Sequence, residues 1–172
     1  MLDRIALSLT VPLLLGTGQP LIPENWKLLV SGPGRFSVAM PAAHKEDAQT
    51  VTTATASKLK VSLFIAIGRD DAAFVVSYCD YPDKDLKTGS LDQRLNLARD
   101  GAVANSGGKL KRETAIELNG HKGRDLAIEK DGETIARMRI YFVERRLYQV
   151  MVLGVAPVKD VGSFLDSFRL NK

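Results

Sequence analysis

One cysteine, two histidines and one tryptophan in 172 residues leave few groups for chemistry. The single thiol, Cys79, excludes an intramolecular disulfide and every metal or redox motif built on paired cysteines. It lies in the apolar run Ala72 to Tyr81, a buried-strand composition in which cysteine behaves as a small hydrophobe and not as a nucleophile. His44 stands in Ala43-His44-Lys45-Glu46-Asp47 and His121 in the turn before Gly123, and neither shows the three or four converging ligands that a metal requires. There is no Gly-x-Ser-x-Gly elbow, and no Ser-His or Cys-His neighbours suggest a catalytic nucleophile. Gly32-Pro33-Gly34 lacks the next glycine of a dinucleotide fingerprint, because position 37 is Ser. Asp80, Asp83 and Asp85 lie close together, but Pro82, Asp85 and Leu91 fall where a calcium loop needs a ligand, a glycine and a glutamate. No catalytic, cofactor-binding or metal-ligating residue is assigned, and no cofactor is expected.

Long hydrophobic runs are missing as well. The apolar stretch Ile5 to Gly16 is well short of the roughly 20 residues that cross a bilayer as a helix. It follows Arg4 and precedes the small residues Gly16-Thr17-Gly18, the layout of a signal peptide over residues 1–18 with cleavage near Gly18. The alternative is a buried N-terminal helix or strand, against which Pro12 counts. Export implies a periplasmic or secreted mature chain without a permanent membrane span. The net charge of +4 comes from 24 basic residues scattered among 20 acidic ones with no aromatic-flanked basic run, so nucleic acid is not an expected partner. With 45% hydrophobic and 26% charged residues, 19–172 reads as one globular domain.

The clearest local structure runs from Gly123 to Gly154: three strands joined by Asp131-Gly132 and Glu144-Arg145. In the middle strand Thr134, Ala136, Met138, Ile140 and Phe142 share one face, and Ile135, Arg137, Arg139, Tyr141 and Val143 share the other. This meander is expected at the centre of an antiparallel sheet. Further strands are predicted over Trp26 to Val30, Arg35 to Met40, Leu59 to Ile67, Ala72 to Tyr81 and Leu110 to Leu118. Thr50 to Ser57 suits an exposed edge strand or a loop. Leu59, Val61, Leu63, Ile65 and Ile67 form one apolar face, paired as a hairpin with a central strand covered by helices on both sides. After a loop from Tyr81 to Gly89, Ser90 and Gln93 make a capping box for a helix ending at Gly107-Gly108, with Leu91, Leu95, Ala98 and Ala102 on its apolar stripe. A last helix begins near Lys159 and docks through Val161, Phe164, Leu165 and Phe168, before Arg169 to Lys172 trails off. Runs of strands with segregated helices predict an α+β layered sandwich: a central antiparallel sheet with helices packed on its faces.

Arg35-Phe36-Ser37-Val38-Ala39-Met40-Pro41 is an early strand ending in proline, Val75-Val76-Ser77-Tyr78-Cys79-Asp80-Tyr81-Pro82 the strand before the first long helix, and Ser163-Phe164-Leu165-Asp166-Ser167-Phe168-Arg169-Leu170 the closing helix. In these three segments the chain resembles the PsbP-like group of α/β/α sandwich proteins. The resemblance implies an antiparallel sheet with helices on its two faces and a role in binding or assembly. It carries over no binding residue.

Arg137 and Arg139 are the polar residues that stand out, since both project from one face of a central strand where a covering helix would bury them unless they are paired. Glu129 on the neighbouring strand is the expected partner. Two functions follow from these features. The first is an exported, non-catalytic binding or assembly module with an unknown protein or small-molecule partner. The second is an enzyme or a small-anion or carboxylate binder that uses Arg137, Arg139 and Tyr141.

Overall fold

Two-residue reversals with left-handed backbone set the strand pairing of the C-terminal half. Asp131 and Gly132 have φ of 52° and 85°, the positive pair that a type I′ turn needs, and they join β7 (His121–Lys130) to β8 (Glu133–Val143). Asn119 and Gly120, with φ of 52° and 82°, do the same between β6 (Lys109–Leu118) and β7. The connection expected over 119–123 is therefore a tight Asn-Gly turn, and Leu118 pairs directly with His121. Glu144 and Arg145 lead from β8 into β9 (Arg146–Leu153). These pairings come from a computed structural model, which describes residues 22–52, 57–68, 71–87, 89–155 and 157–172. The segment read as a leader, 1–18, lies outside the described residues.

The N-terminal half supplies β1 (Trp26–Ser31), β2 (Phe36–Pro41), β3 (His44–Thr52), β4 (Lys58–Ile67) and β5 (Ala73–Asp80). A one-turn helix α1 (Asp83–Leu86) interrupts the expected loop before α2 (Leu91–Ser106). The capping box at α2 forms as predicted: Gln93 N–H donates to Ser90 Oγ at 3.2 Å, and Ser90 N–H donates to Gln93 Oε1 at 2.7 Å. Gly107 ends the helix at φ 64°, a conformation without steric cost for glycine.

Seven strands make one antiparallel sheet in the order β3-β4-β5-β9-β8-β7-β6. The meander supplies its middle strand, β9. His44 opens the edge strand β3, whose residues are exposed along nearly its whole length. One face of the sheet carries α2 over β7 and β8, and together they enclose Leu95, Leu126, Met138, Ile140 and Phe142. The other face carries a helix, as expected, and beside it a second sheet. There a three-stranded sheet, β1-β2-β10, lies with the short helix α3 (Val161–Ser167) over Phe64, Phe74, Val76, Tyr148 and Val150. The alternation of Phe36, Val38 and Met40 in β2 marks an apolar face but does not say which sheet the strand joins, so this layer could not be read in advance. Residues 169–172 do not trail off: β10 (Arg169–Leu170) pairs with β2, and Asn171 N–H donates to Arg35 O at 2.9 Å.

Coverage also decides which side of β4 is core. Phe64 and Ala66 are buried under the small sheet, whereas Leu63 and Ile65 on the opposite face are half-buried and Ile67 is exposed. The apolar face expected at 59–67 is thus enclosed only around Leu59 and Val61, because α2 packs on β7 and β8 and not on the far half of the sheet. The result is an α+β layered sandwich with an antiparallel sheet at its centre.

Candidate functional site

Arg137, Arg139 and Tyr141 follow one another along the face of β8 that looks toward α3, as the alternation predicts. Their acid is Asp125 on β7, not Glu129. Asp125 sits directly across from Arg139 in the ladder, and Arg139 Nε donates to its Oδ2 at 3.0 Å. Arg112 on β6 reaches Oδ1 at 2.7 Å, and Arg137 Nη2 approaches the same oxygen at 3.5 Å. Three guanidinium groups therefore converge on one buried carboxylate. Diagonal neighbours across antiparallel strands lie close enough for long side chains to meet in this way.

Two bulges explain why Glu129 was the wrong choice. The Asp131-Gly132 turn pairs Glu129 with Thr134, and the register then shifts between Ile128 and Glu129, which brings Asp125 opposite Arg139, while the Glu129 carboxylate lies 3.3 Å from Lys111 Nζ. The β6–β7 register shifts between Leu110 and Arg112. In a regular strand Lys111 and Arg112 would point to opposite faces; the extra residue at the bulge turns both toward the same groove. A bulge leaves the alternation of residue types intact, which hides Lys111 and Arg112 from a reading of the sequence. The one visible signal is the density of bases in Lys109-Leu110-Lys111-Arg112 just after Gly107-Gly108.

The groove has a volume of about 590 Å³, within the range of roughly 300–1,000 Å³ usual for ligand pockets. Lys111, Arg112, Thr134 and Arg137 supply its polar edge from β6 and β8. Val152 on β9 and Pro157, Val158 and Val161 on the segment after it supply an apolar wall, and the short side chain of Ala127 leaves the depression open. Of the three residues proposed from sequence, Arg137 lines this groove. Arg139 turns to α3, bonding Leu165 O at 3.0 Å and Asp166 at 2.7 Å. Burial disfavours its charge, but the hydrogen bonds to Asp125 and Asp166 prevail and hold its pKa above the ordinary arginine value. Tyr141 is in the core, its ring parallel to Phe168 at 6.0 Å between centroids. Burial raises the phenol's pKa, against the opposing influence of Arg139. Gly123 lies opposite Tyr141 in the ladder, and a Cβ there would press on Ile140 O and the Tyr141 ring.

Arg137 is the incompletely satisfied member of the cluster. Its Nε is buried and has no hydrogen-bond partner among the described residues, and its contact with Asp125 is the longest of the three. A buried donor without an acceptor is uncommon in a native fold. Around it, four cations (Lys111, Arg112, Arg137 and Arg139) meet three carboxylates (Asp125, Glu129 and Asp166), which leaves the cluster positive.

The histidines stand apart from this cluster. His44 Nε2 lies 3.9 Å from Glu46, and no group of three or more His, Cys, Asp or Glu side chains gathers in a metal-binding arrangement among the described residues. Asp80, from the predicted acidic loop, is engaged by Arg146, and Asp83 lies 3.4 Å from Arg145. A second groove of about 640 Å³, lined by Trp26, Phe74, Glu24, Asn25, Lys159 and Asp160 among others, brings together polar groups of mixed charge. No helix among the described residues is long and apolar enough to cross a membrane.

No family model matches this chain, and no curated protein matches it. Among solved structures, the chain is similar to the solution structure of cyanobacterial PsbP (CyanoP) from Synechocystis sp. PCC 6803, with a TM-score of 0.49 and 14% identity over 91% of this chain and 98% of that one.

Proposed function

We propose that this protein is an exported, non-catalytic binding or assembly module, and that its ligand contact is the cationic groove beside α3. The observation that carries the reading is Arg137: a guanidinium at a groove wall, its side chain 37% exposed, with a long contact to a carboxylate shared with two other arginines and a buried Nε–H that has no acceptor among the described residues. Guanidinium presents five donors in a planar fork suited to carboxylates and other oxyanions. Arginine remains charged throughout the physiological range, so the chemistry supplied by Arg112 and Arg137 is recognition and charge neutralisation, not proton transfer. Export is drawn from the apolar segment Ile5 to Gly16 and the small residues after it.

Each half of the proposal has its own test. Titration of the isotope-labelled protein with acetate or sulfate, followed by two-dimensional NMR, is expected to move the resonances of Lys111, Arg112 and Arg137 more than chloride does at equal ionic strength. Arg137→Gln should abolish the difference. Equal responses to all three salts would remove the anion contact. Intact mass of protein recovered from the extracytoplasmic fraction tests export, where loss of residues up to about Gly18 is expected and an uncleaved cytoplasmic species would refute it.

A further inference from the structure

The two sides of the groove differ in chemistry. Its cations come from β6 and β8, at one side of the strand order, while Val152, Pro157, Val158 and Val161 come from β9 and the segment that follows it. A simple inorganic anion would use only the first set. Val152 belongs to the core and Val158 and Val161 pack against it, but Val158 and Val161 with Pro157 also border the groove, where they offer an apolar body carried by the anionic group a place to lie beside Ala127. From this division we infer that the groove binds an aliphatic monocarboxylate, its carboxylate on Arg137 and Lys111 and its chain along Pro157, Val158 and Val161. The inference rests on the proposed anion contact and adds the class of ligand to it.

Charge argues for one carboxylate and not several. Asp125 and Glu129 lie within the cation cluster and would repel a second negative group, while Arg137, its side chain 37% exposed at the groove, can offer donors to one. Arg112 is held at 2.7 Å by Asp125 and Lys111 at 3.3 Å by Glu129, so both also position the cluster. Apolar contact then adds affinity in proportion to the chain length buried. Burying a methylene contributes about fourfold in affinity when complete, and about twofold in a groove that stays partly open.

Calorimetric and NMR titration of the whole chain with acetate, butanoate, hexanoate and octanoate tests this. Affinity is expected to rise about two- to fourfold per added methylene, and 1-octanol should bind far more weakly than octanoate. Arg137→Gln should remove the preference for octanoate over octanol. Val158→Ser, at a half-buried wall position, should flatten the chain-length series while leaving the acetate response in place. Val161→Ser serves the same purpose should the first variant unfold. An acetate response that does not grow with chain length would overturn the inference and leave the anion contact standing. No response to any carboxylate would overturn both, and equal binding of octanol and octanoate would show an apolar groove without a carboxylate site.

Discussion

Asp80 and Arg146 face each other across β5 and β9, and two hydrogen bonds of 2.7 Å join the carboxylate to the guanidinium. The same guanidinium lies 4.6 Å above the Tyr78 ring and donates to Pro33 O at 2.7 Å. Arg146 thus ties the β1–β2 turn to the large sheet, and beside it Tyr148 OH donates to Gly34 O at 2.7 Å. Arg146 is buried, so its loss removes a paired charge and its packing together. Asp80 is partly exposed, so Arg146→Ala is expected to lower stability by about 1 to 3 kcal/mol through its lost hydrogen bonds, read as the shift in the urea midpoint; a shift within measurement error would show that the turn is held without it.

The same pair sets an acid limit. The Arg146 hydrogen bonds hold the Asp80 carboxyl below the ordinary carboxylate range, against the opposing effect of burial. Between that lowered value and the unfolded value of about 3.9 the unfolded chain binds the proton and the folded chain does not. The contribution is complete above the unfolded value and is lost as pH falls through the folded one. Asp80→Asn should therefore flatten the acid limb of the stability curve and leave its shape above pH about 5 unchanged. An acid limb identical to the parent's would assign acid unfolding to other carboxylates.

At the alkaline side Cys79 works in the opposite sense. Burial, and then the negative charge of Asp80, push its thiol from an ordinary 9.0 to about 11. The unfolded thiol ionises first, so the stability associated with keeping Cys79 neutral is complete below pH 9.0 and is lost as pH rises through about 11. A thiol kept neutral is also a poor nucleophile. Reaction with a disulfide reagent at pH about 8 should occur only as fast as the chain opens, and immediately in denaturant. Rapid labelling of the native protein would contradict the buried placement of Cys79.

How much could be read beforehand differs between these elements. Strands β6 to β9 were readable because Asp131-Gly132 and the alternation around it act locally, and α2 because Ser90, Gln93 and Gly107 mark its ends. The small sheet was not, since β10 has two residues and its pairing with β2 depends on a contact between residues more than a hundred positions apart. At the groove, Arg137 could be picked out as a cation on a covered face, but Asp125, Lys111 and Arg112 could not be joined to it. Their meeting depends on two bulges, and a bulge changes register without changing residue pattern.

Ser167 compensates for the shortness of β10. Beyond the two-residue pairing, the Ala39 N–H of β2 donates to Ser167 Oγ at 2.9 Å, and the hydroxyl donates to Phe164 O at 2.7 Å. Both groups are buried, so Ser167→Ala leaves an amide without an acceptor. The expected cost is about 1 to 3 kcal/mol, measured by chemical denaturation, with Ser167→Thr retaining more of the parent stability than Ser167→Ala. Equal losses in the two variants would assign the effect to packing and not to the hydrogen bond.

The last prediction separates a structural α3 from one that presents its aromatics to a partner. This helix has seven residues and no side-chain N-cap, and Asp160 before it lies at φ 62°. A helix so short has little stability of its own, so packing must hold it. Phe164 has 0% of its surface exposed and meets Phe74 at 5.3 Å and Trp26 at 6.2 Å, both edge-on. Truncating a buried phenylalanine costs about 3 to 5 kcal/mol, a large share of the roughly 5 to 15 kcal/mol that holds a typical domain together. Phe164→Ala should therefore lower the urea midpoint strongly. Because α3 also carries Asp166, which holds Arg139, and Val161, which lines the groove, loosening it should blunt the anion response at concentrations of urea where the variant remains folded. A midpoint unchanged from the parent's would mean that α3 is not part of the core, and that its aromatic residues are free to engage a partner.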